Sequence, residues 1–266
     1  MNKTQLLNRL ARDEEERILL ARVLDKLEQT RSRSIPSHTG FLSPAQQASV
    51  GELLAACGHP EHLFFGGYAG AERAICAFLP DWQSETDWLA QEERPVAAVE
   101  AGFPKNSGLT HRDFLGGLMG IGLTREKLGD ILVGDGVCHI LVLRETLPIV
   151  LSQFSSAGRY RLTCSEAAVS QLRAAPVEVR AIRDTVATLR LDAVVASGFS
   201  LARSKAAALI QTGKVSVNHR ECTKADKLVE AGDVFTCRGL GKCVLTAVLG
   251  QSRKGRTMIE MERYIG

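Results

Sequence analysis

The pattern of apolar and polar positions divides the chain into three segments, and the first of them predicts a small α/β unit. Apolar residues at roughly helical spacing predict one helix over residues 4–28, followed by a connector rich in Ser, Arg and Pro at 30–40. Ser43 and Pro44 predict the N-cap and the first residue of a second helix. Two short apolar runs separated by glycines, between residues 62 and 80, predict a pair of strands.

The middle segment shows strand and helix patterns in the order β-α-β-β-α-β, which is the split βαβ plait. Asp135-Gly136 is a strong hairpin signal between its second and third strands. Many RNA-binding domains use this plait and stack bases on aromatic residues of the central strands. The central strand predicted here, VCHILVL, contains no Phe, Tyr or Trp, so the pattern predicts a fold and not a function. The six elements are predicted at 95–103, 112–122, 129–133, 137–143, 144–158 and 160–167.

The last segment predicts two short helices that lead into a small, mostly antiparallel sheet. The first helix, at 190–198, is expected to end at Gly198. Ser200 is the expected N-cap of the second helix, at 201–212, which stops at Gly213. Alternating apolar residues and a Gly-rich turn predict strands at 214–218, 233–239 and 242–250.

Charge is distributed unevenly along the chain. Residues 181–266 contain 14 Lys and Arg against 8 Asp and Glu, a net charge of +6. Residues 1–180 contain 19 and 22, a net charge of −3. This asymmetry favours a polyanion as the partner of the C-terminal segment alone.

Composition and motif spacing argue against several other classes of protein. The chain is 45% apolar and 24% charged, as in soluble globular proteins. No apolar run reaches the roughly 20 residues of a membrane span, and the N-terminus lacks a secretory pattern, so a cytoplasmic protein without membrane contact is expected. The seven cysteines lack zinc-ligand spacing, and neither a metal nor a cofactor is expected. HRDFLGG (111–117) lacks the other kinase motifs, and GGYAGAER (66–73) lacks a P-loop lysine and is expected to be a tight turn.

Residues 190–218, followed by AGD at 231–233, resemble the S-four RNA-binding domain. This module is shared by the fourth small-subunit ribosomal protein, pseudouridine synthases and tyrosyl-tRNA synthetases. The matching positions are Arg190, Leu191, Asp192, Arg203, Ala206, Leu209, Ile210, Gly213, Val215, Val217, Asn218, Gly232 and Asp233.

Physical arguments predict a phosphate anchor at the start of the second helix of this module. Arg203 and Lys205 lie off its apolar face, next to free backbone N–H groups and the positive end of the helix dipole. Arg190 is expected to bind a phosphate through two parallel hydrogen bonds. Asp192 is expected to orient Arg190 or to cap the first helix. A second basic cluster spans 238–256 and supplies sequence-independent phosphate contacts. The predicted RNA-binding residues are Arg190, Arg203, Ser204, Lys205, Lys214, Asn218, Arg220, Arg238, Lys242, Arg253, Lys254 and Arg256, with Arg112 as a further candidate.

Nearly the whole chain resembles the YlmH family of bacterial proteins. The matching segments are FLSP (41–44), FFGGYAGAERAICAFLP (64–80), HRDFLGGLMGIGLTREKLGDILV (111–133), SLARSKAAALI (200–210), RGLGK (238–242) and SRKGR (252–256). The resemblance implies binding to rRNA and tRNA on the large ribosomal subunit carrying peptidyl-tRNA. It also implies a part in ribosome-associated quality control of stalled nascent chains, together with other quality-control factors. Two positions depart from the family pattern: Ala202 replaces the usual Ser, and Lys242-Cys243 replaces a basic-aromatic pair.

The fold class expected from these patterns and resemblances is α+β. It consists of a small N-terminal α/β domain at 1–90, a ferredoxin- or RRM-like plait at 91–172, and an αL-type S-four domain at 181–266. A linker is expected around 173–180.

Three functions are compatible with the sequence. The preferred one is an RNA-binding factor that makes no bonds itself. An RNA-modifying enzyme of the pseudouridine synthase type is the alternative, but such enzymes need a large catalytic domain with a nucleophilic Asp and typically carry the S-four module at the N-terminus. The third is a structural protein whose basic face docks onto an acidic protein. A tyrosyl-tRNA synthetase is excluded because no nucleotide-binding Rossmann pattern is present.

Overall fold

The computed structural model of the chain describes residues 3–91, 93–172 and 178–265. Helices are combined with antiparallel sheets, so the predicted α+β class is confirmed. The chain divides into two units, Met1–Ala175 and Pro176–Gly266. The N-terminal segment and the plait both lie in the first unit, and their separation into two domains stays a prediction.

The N-terminal segment is a helical layer packed on a short antiparallel sheet with the strand order β1-β3-β2. Leu20 and Val23 of one helix pack with Val50 and Leu53 of another and with Phe78 of the central strand, all five completely buried. In chain order, the elements of residues 3–91 are α1 (Lys3–Leu10), α2 (Glu14–Arg33), β1 (Ser37–His38), α3 (Pro44–Ala56), β2 (His62–Phe65), β3 (Ile75–Phe78) and α4 (Glu85–Ala90).

The single helix predicted at 4–28 is wrong, because the structure has two helices there. Asp13 begins α2: its carboxylate accepts a hydrogen bond from the Glu16 backbone N–H at 2.8 Å, which is an N-cap and not an interior helical contact. Residues 12–17 contain no apolar side chain, and this interruption marks the break that the prediction of a single helix overlooked. The connector predicted at 30–40 is also wrong in its first part, since α2 continues to Arg33 and is followed by β1.

The other local predictions for this segment are confirmed. Ser43 caps α3, accepting a hydrogen bond from the Gln46 N–H while the Gln46 side chain accepts one from the Ser43 N–H. The strands predicted between residues 62 and 80 pair as β2 and β3. Helix α4 was not predicted, although Ser84 and Asp87 form a capping box at its start.

The plait predicted for the middle segment is confirmed, and its sheet has the strand order β5-β6-β4-β9. Phe114 and Leu118 of the first plait helix and Val150 of the second pack on one face of this sheet. The helix predicted at 144–158 is wrong at both ends, because a 3-10 turn at Arg144–Thr146 precedes it, it ends at Gln153, and Ser156–Ala157 form a strand. The elements of residues 93–172 are β4 (Val96–Gly102), α5 (His111–Gly120), β5 (Leu128–Val133), β6 (Val137–Leu143), α6 (Leu147–Gln153), β7 (Ser156–Ala157), β8 (Tyr160–Arg161) and β9 (Thr163–Ala167).

The N-terminal segment covers part of the opposite face of the plait sheet. Ala98 of β4 and Leu141 of β6 are completely buried there, in a cluster with Phe41, Ile75 and Trp88. In RNA-recognition plaits, this is the face on which bases stack. The covered part of the sheet is therefore an internal packing surface.

Asp130 of β5 fixes the loop GGYAGAER (66–73) against the plait. Its carboxylate accepts hydrogen bonds from the Tyr68 hydroxyl at 2.7 Å and from the backbone N–H groups of Glu72 and Arg73 at 2.8 and 3.0 Å. Gly67 has a φ of +101°, and an added Cβ would lie 2.8 Å from a methyl carbon of Leu141. The glycine-rich segment is therefore a tight turn whose N–H groups are satisfied by a carboxylate of the protein itself.

The second unit is a six-stranded antiparallel sheet with the order β10-β15-β14-β13-β11-β12, packed against two helices. Residues 173–177 of the predicted linker lie outside the described residues, whereas 178–180 belong to a strand, so that part of the linker prediction is wrong. The elements of residues 178–265 are β10 (Glu178–Val186), α7 (Leu191–Gly198), α8 (Arg203–Gln211), β11 (Val215–Val217), β12 (Arg220–Glu221), β13 (Val234–Cys237), β14 (Gly241–Gln251) and β15 (Thr257–Ile265).

Replacing Asp130 by Ala is expected to lower the free energy of unfolding of the first unit by about 2–3 kcal/mol, because three donors lose their acceptor. Trp82 and Trp88 are the two tryptophans of the chain, and both lie in the first unit, so urea unfolding followed by tryptophan fluorescence reports on it. The control is Asp135→Ala in the exposed hairpin turn, for which a change within about 0.5 kcal/mol is expected. Equal effects of the two substitutions would contradict the role given to Asp130.

Candidate RNA-binding surface

Helices α7 and α8 meet at an angle of 114°, and the turn between them presents the start of α8. The structure corrects the predicted N-cap: Ser200 has a left-handed backbone (φ 55°), and Ala202 occupies the N-cap position before Arg203. Ala206 and Ile210 are completely buried, which orients α8. In consequence Arg203, Ser204 and Lys205 are exposed in its first turn, as predicted.

Asp192 binds two arginines at the start of α8. Its carboxylate accepts hydrogen bonds from Arg190 Nε and Nη2 at 3.3 and 3.1 Å, and from Arg203 Nη2 at 3.0 and 3.2 Å. The Asp192 side chain is 8% exposed, whereas those of Arg190 and Arg203 are 38% and 52% exposed. We call these three residues the arginine cluster.

The two guanidinium groups keep Asp192 ionised. Burial acts to raise the pKa of the Asp192 carboxyl, but the hydrogen bonds from Arg190 and Arg203 and their charges outweigh it, and the pKa lies below its ordinary value. Asp192 thus orients Arg190, as expected, and also Arg203, which was not expected. Each arginine is fixed through part of its guanidinium group while the side chain remains accessible to an anion.

The turn between β13 and β14 carries part of the second basic cluster. Arg238 is exposed, and Gly239 and Gly241 have φ values of 84° and 95°. The Lys242 ammonium lies 4.6 Å from the centroid of the Tyr264 ring, a cation–π contact. An aromatic side chain therefore does stand next to Lys242, but it comes from β15 and not from position 243.

The turn between β14 and β15 carries the rest of the cluster. Arg253 and Lys254 are exposed at its tip. Arg256 is fixed to β10: its Nε donates to the Thr185 hydroxyl at 3.0 Å and its Nη2 to the Thr185 carbonyl at 2.5 Å. This connection spans 71 residues of sequence, and the local pattern gave no signal for it.

The remaining predicted residues occupy different positions. Lys214 is exposed before β11, and Arg220 is half-buried in β12. Asn218 has a φ of 50°, its Nδ2 donates to Asp233 at 2.7 Å, and its Oδ1 accepts from the Val234 N–H at 2.9 Å. Asn218 therefore stabilises the turn between β11 and β12. Arg112 is exposed in the first turn of α5, in the other unit from the remaining candidates.

The other chemical expectations concern metals, thiols and membranes. Among the residues that the structure describes, no group of three or more His, Cys, Asp or Glu side chains could hold a metal ion. Cys76, Cys138, Cys237 and Cys243 are buried free thiols, and burial raises the pKa of Cys243 to about 11. Within the same described ranges, no single helix is long and apolar enough to cross a membrane, and α7 with α8 would meet that criterion only as a bent pair.

Comparisons with known proteins match both units. The family model "Putative RNA-binding domain in YlmH" matches residues 91–171, and the S4 domain model matches residues 189–235. The chain is 34% identical over 229 residues to the ribosome-associated protein quality control protein P2 of Bacillus subtilis (strain 168), which covers 85% of this chain and 86% of that protein. A solved structure, the cell division protein ylmH from Streptococcus pneumoniae, matches 60% of this chain and 96% of its own with 20% identity and a TM-score of 0.49.

The fold and these matches define an α+β protein with RNA-binding domains, the second of them an S-four domain. At this identity and coverage, the comparison with the B. subtilis protein shows the family directly. The chain belongs to the YlmH family, and the resemblance found in the sequence is confirmed.

Replacing Asp192 by Asn is expected to destabilise the second unit by about 2 kcal/mol, because hydrogen bonds from two charged donors weaken. Hydrogen exchange of the buried β14 and β15 amides in the full chain measures this locally. Glu178→Gln removes the same charge from an exposed residue of the second unit outside the cluster and is the control. If both variants exchange alike, the arginine cluster does not support the fold.

The same variant makes a prediction about pH. A carboxyl whose pKa is lowered by folding stabilises the protein above its ordinary pKa, and this contribution is lost as the pH falls through the folded-state value. The stability difference between the natural chain and Asp192→Asn is therefore expected to be constant above about pH 5 and to shrink below 3.8. A difference that persists undiminished at pH 2 would contradict this assignment.

Proposed function

We propose that the second unit binds folded rRNA and tRNA on the large ribosomal subunit carrying peptidyl-tRNA, and that the protein acts in ribosome-associated quality control. In this proposal it positions RNA in the cytoplasm without making or breaking bonds. The observation that carries the proposal is the arginine cluster, in which a buried carboxylate holds two accessible guanidinium groups at the start of α8.

Electrostatics supports an RNA backbone as the ligand. The net charge of +6 is confined to residues 181–266, and Lys205 and Arg238 are exposed there. Cations that neutralise phosphates release counterions, which supplies affinity without regard to base sequence. Guanidinium groups fixed in place lose less conformational freedom on binding than free side chains do.

The assignment to the ribosome rests on the family. The B. subtilis relative is named as a ribosome-associated quality control protein, and this chain shares 34% identity with it. We extend that association to this chain, with the large subunit and peptidyl-tRNA as the finer part of the proposal. Contacts with other quality-control factors belong to the same proposal.

The proposed contact residues fall into three groups. Arg190, Arg203, Ser204 and Lys205 form the primary contact. Lys242 beside Tyr264 belongs to a second contact, together with the two turns of the basic cluster. The second group lies in these turns and consists of Arg238, Lys242, Arg253, Lys254 and Arg256. The third group is peripheral and consists of Lys214, Asn218, Arg220 and Arg112.

Replacing Arg203 and Lys205 together by Ala is expected to abolish co-sedimentation of the full chain with large ribosomal subunits. Arg203→Ala also removes one of the two arginines that compensate the buried Asp192 carboxylate, so a lower unfolding temperature is expected. Circular dichroism at the assay temperature checks that the double variant is folded, and Lys205→Ala alone, which leaves Asp192 paired with both arginines, separates loss of the contact from loss of stability. The matched control, Arg9→Ala with Lys105→Ala, removes two positive charges from exposed positions of the first unit. The proposed surface is wrong if the first double variant still pellets with the subunits.

Replacing Lys205 alone by Ala tests whether it meets a phosphate. The slope of log affinity against log salt concentration is expected to become shallower by about one, because one fewer counterion is released. A filter-binding titration with large-subunit RNA over a series of salt concentrations measures this slope. An unchanged slope with unchanged affinity would remove Lys205 from the contact.

A further inference from the structure

An open groove of about 500 Å³ lies beside the arginine cluster, within the second unit. Its walls come from the end of β10, one side of α7, the turn between α7 and α8, and the turn between β14 and β15. Arg203 and Arg256 both line it. The volume falls in the range of sites that hold a small molecule or a single nucleotide, which is more space than a phosphate contact needs.

The two arginines of the groove are fixed by neighbouring residues, Arg203 by a residue outside the groove and Arg256 by one that also lines it. Arg203 is bound to Asp192, and Arg256 is bound to the hydroxyl and carbonyl oxygens of Thr185. These contacts use only part of each guanidinium group, which carries five N–H donors. Donors therefore remain on both arginines for a phosphate at the groove.

Most of the surface exposed in the groove is polar, and small apolar side chains lie between its charged groups. Ala193 and Ala196 are three residues apart on α7 and thus on one face of that helix, with Leu201 beside them. Small side chains leave a shallow surface instead of filling the space. A planar, weakly polar group such as a nucleobase fits this surface, whereas a bare phosphate gains nothing from it.

Asp184 and Ser197 give the groove a polar edge. The Asp184 carboxylate accepts a hydrogen bond from the Ser197 hydroxyl at 2.5 Å and another from the Thr185 N–H at 2.7 Å. An ionised carboxylate has about four acceptor sites and no donor, so Asp184 can accept further hydrogen bonds. The pairing edge of guanine offers two adjacent donors, the N1–H and the N2 amine, whereas uracil offers one N–H between two carbonyl oxygens.

We propose that this groove holds one unpaired nucleotide of the bound RNA and prefers guanine. The phosphate contacts Arg203 and Arg256, the base lies on Ala193 and Ala196, and its donor edge faces Asp184. This inference rests on the proposed function and adds to it a site that reads a base, in a surface that otherwise contacts the backbone.

The test uses the ¹⁵N-labelled full chain titrated with guanosine 5′-monophosphate, uridine 5′-monophosphate and inorganic phosphate, followed by amide shifts. Guanosine monophosphate is expected to shift the amides of Thr185, Ala193 and Ser197 and to bind at least fivefold more tightly than either other probe. Equal binding of guanosine monophosphate and phosphate would overturn the proposal, because the groove would then hold an anion only. Equal binding of the two nucleotides would overturn the preference for guanine.

Two variants separate the parts of the groove. Ala193→Leu fills the lining without a change in charge and is expected to weaken guanosine monophosphate binding at least tenfold. Ala208→Leu makes the same change at an exposed position of α8 outside the groove and is expected to bind as the natural chain does. Asp184→Asn keeps an acceptor for Ser197 but replaces half of the carboxylate by a donor, so the ratio of guanine to uracil affinity should fall towards one. The inference is wrong if Ala193→Leu leaves the affinity for guanosine monophosphate unchanged, or if Asp184→Asn leaves the ratio of guanine to uracil affinity unchanged.

Failure of this inference is distinguishable from failure of the proposed function. If the natural chain pellets with large subunits and Arg203→Ala with Lys205→Ala does not, while no nucleotide shifts the groove amides, the function stands and the groove is not a nucleotide site. If that double variant pellets normally, the proposed function fails whatever the nucleotide titrations show.

Discussion

The candidate surface depends on one buried carboxylate between two arginines. Arg190 and Arg203 are like charges that come together where α7 and α8 begin, and without a counter-charge their proximity would oppose folding. Asp192 offsets this repulsion, and because both partners bond to it, its own burial is compensated. The cluster still carries one net positive charge. The same three side chains thus support the fold and form the candidate anion-binding surface.

The plait of the first unit differs from the plait of RNA-recognition domains because part of its base-stacking face is covered. Its sheet contributes Ala98 and Leu141 to a core shared with Phe41 and Trp88, so part of the face that could carry stacked bases is packed inside the unit. Asp130 strengthens this arrangement by accepting hydrogen bonds from two backbone N–H groups of a loop of the N-terminal segment. Any RNA contact of this unit has to use its helices, its loops or the uncovered part of the sheet. Arg112, at the start of α5, lies on one such helix.

Sequence patterns predicted what depends on neighbouring residues. The alternation in β11, the Asp135-Gly136 turn and the Ser43 cap are local, and all are present in the structure. Strand β10 escaped prediction because most of its residues are exposed and its place is fixed by pairing with β15, about 80 residues later. The break before α2 was missed although its signals, the polar run at 12–17 and the Asp13 cap, are local. For the site, the cations were predicted from the S-four resemblance and the local basic clusters, but the hydrogen bonds from Arg203 to Asp192 and from Arg256 to Thr185 were not.

The side chains whose positions are set locally in the sequence and those set by distant pairing differ in what they could recognise in RNA. The cations of the helix start and the turns can be found in the sequence because any exposed Lys or Arg is able to contact a phosphate, and such contacts carry no information about the bases. The groove exists only once β10 has paired with β15 and Arg256 has reached Thr185. Selectivity for a base requires acceptors and an apolar surface at fixed positions, which exposed flexible cations do not provide. In the proposed site, affinity would therefore depend chiefly on the number of accessible cations, and preference for a base would depend on the pairing of the edge strand β10 with β15, which places Asp184.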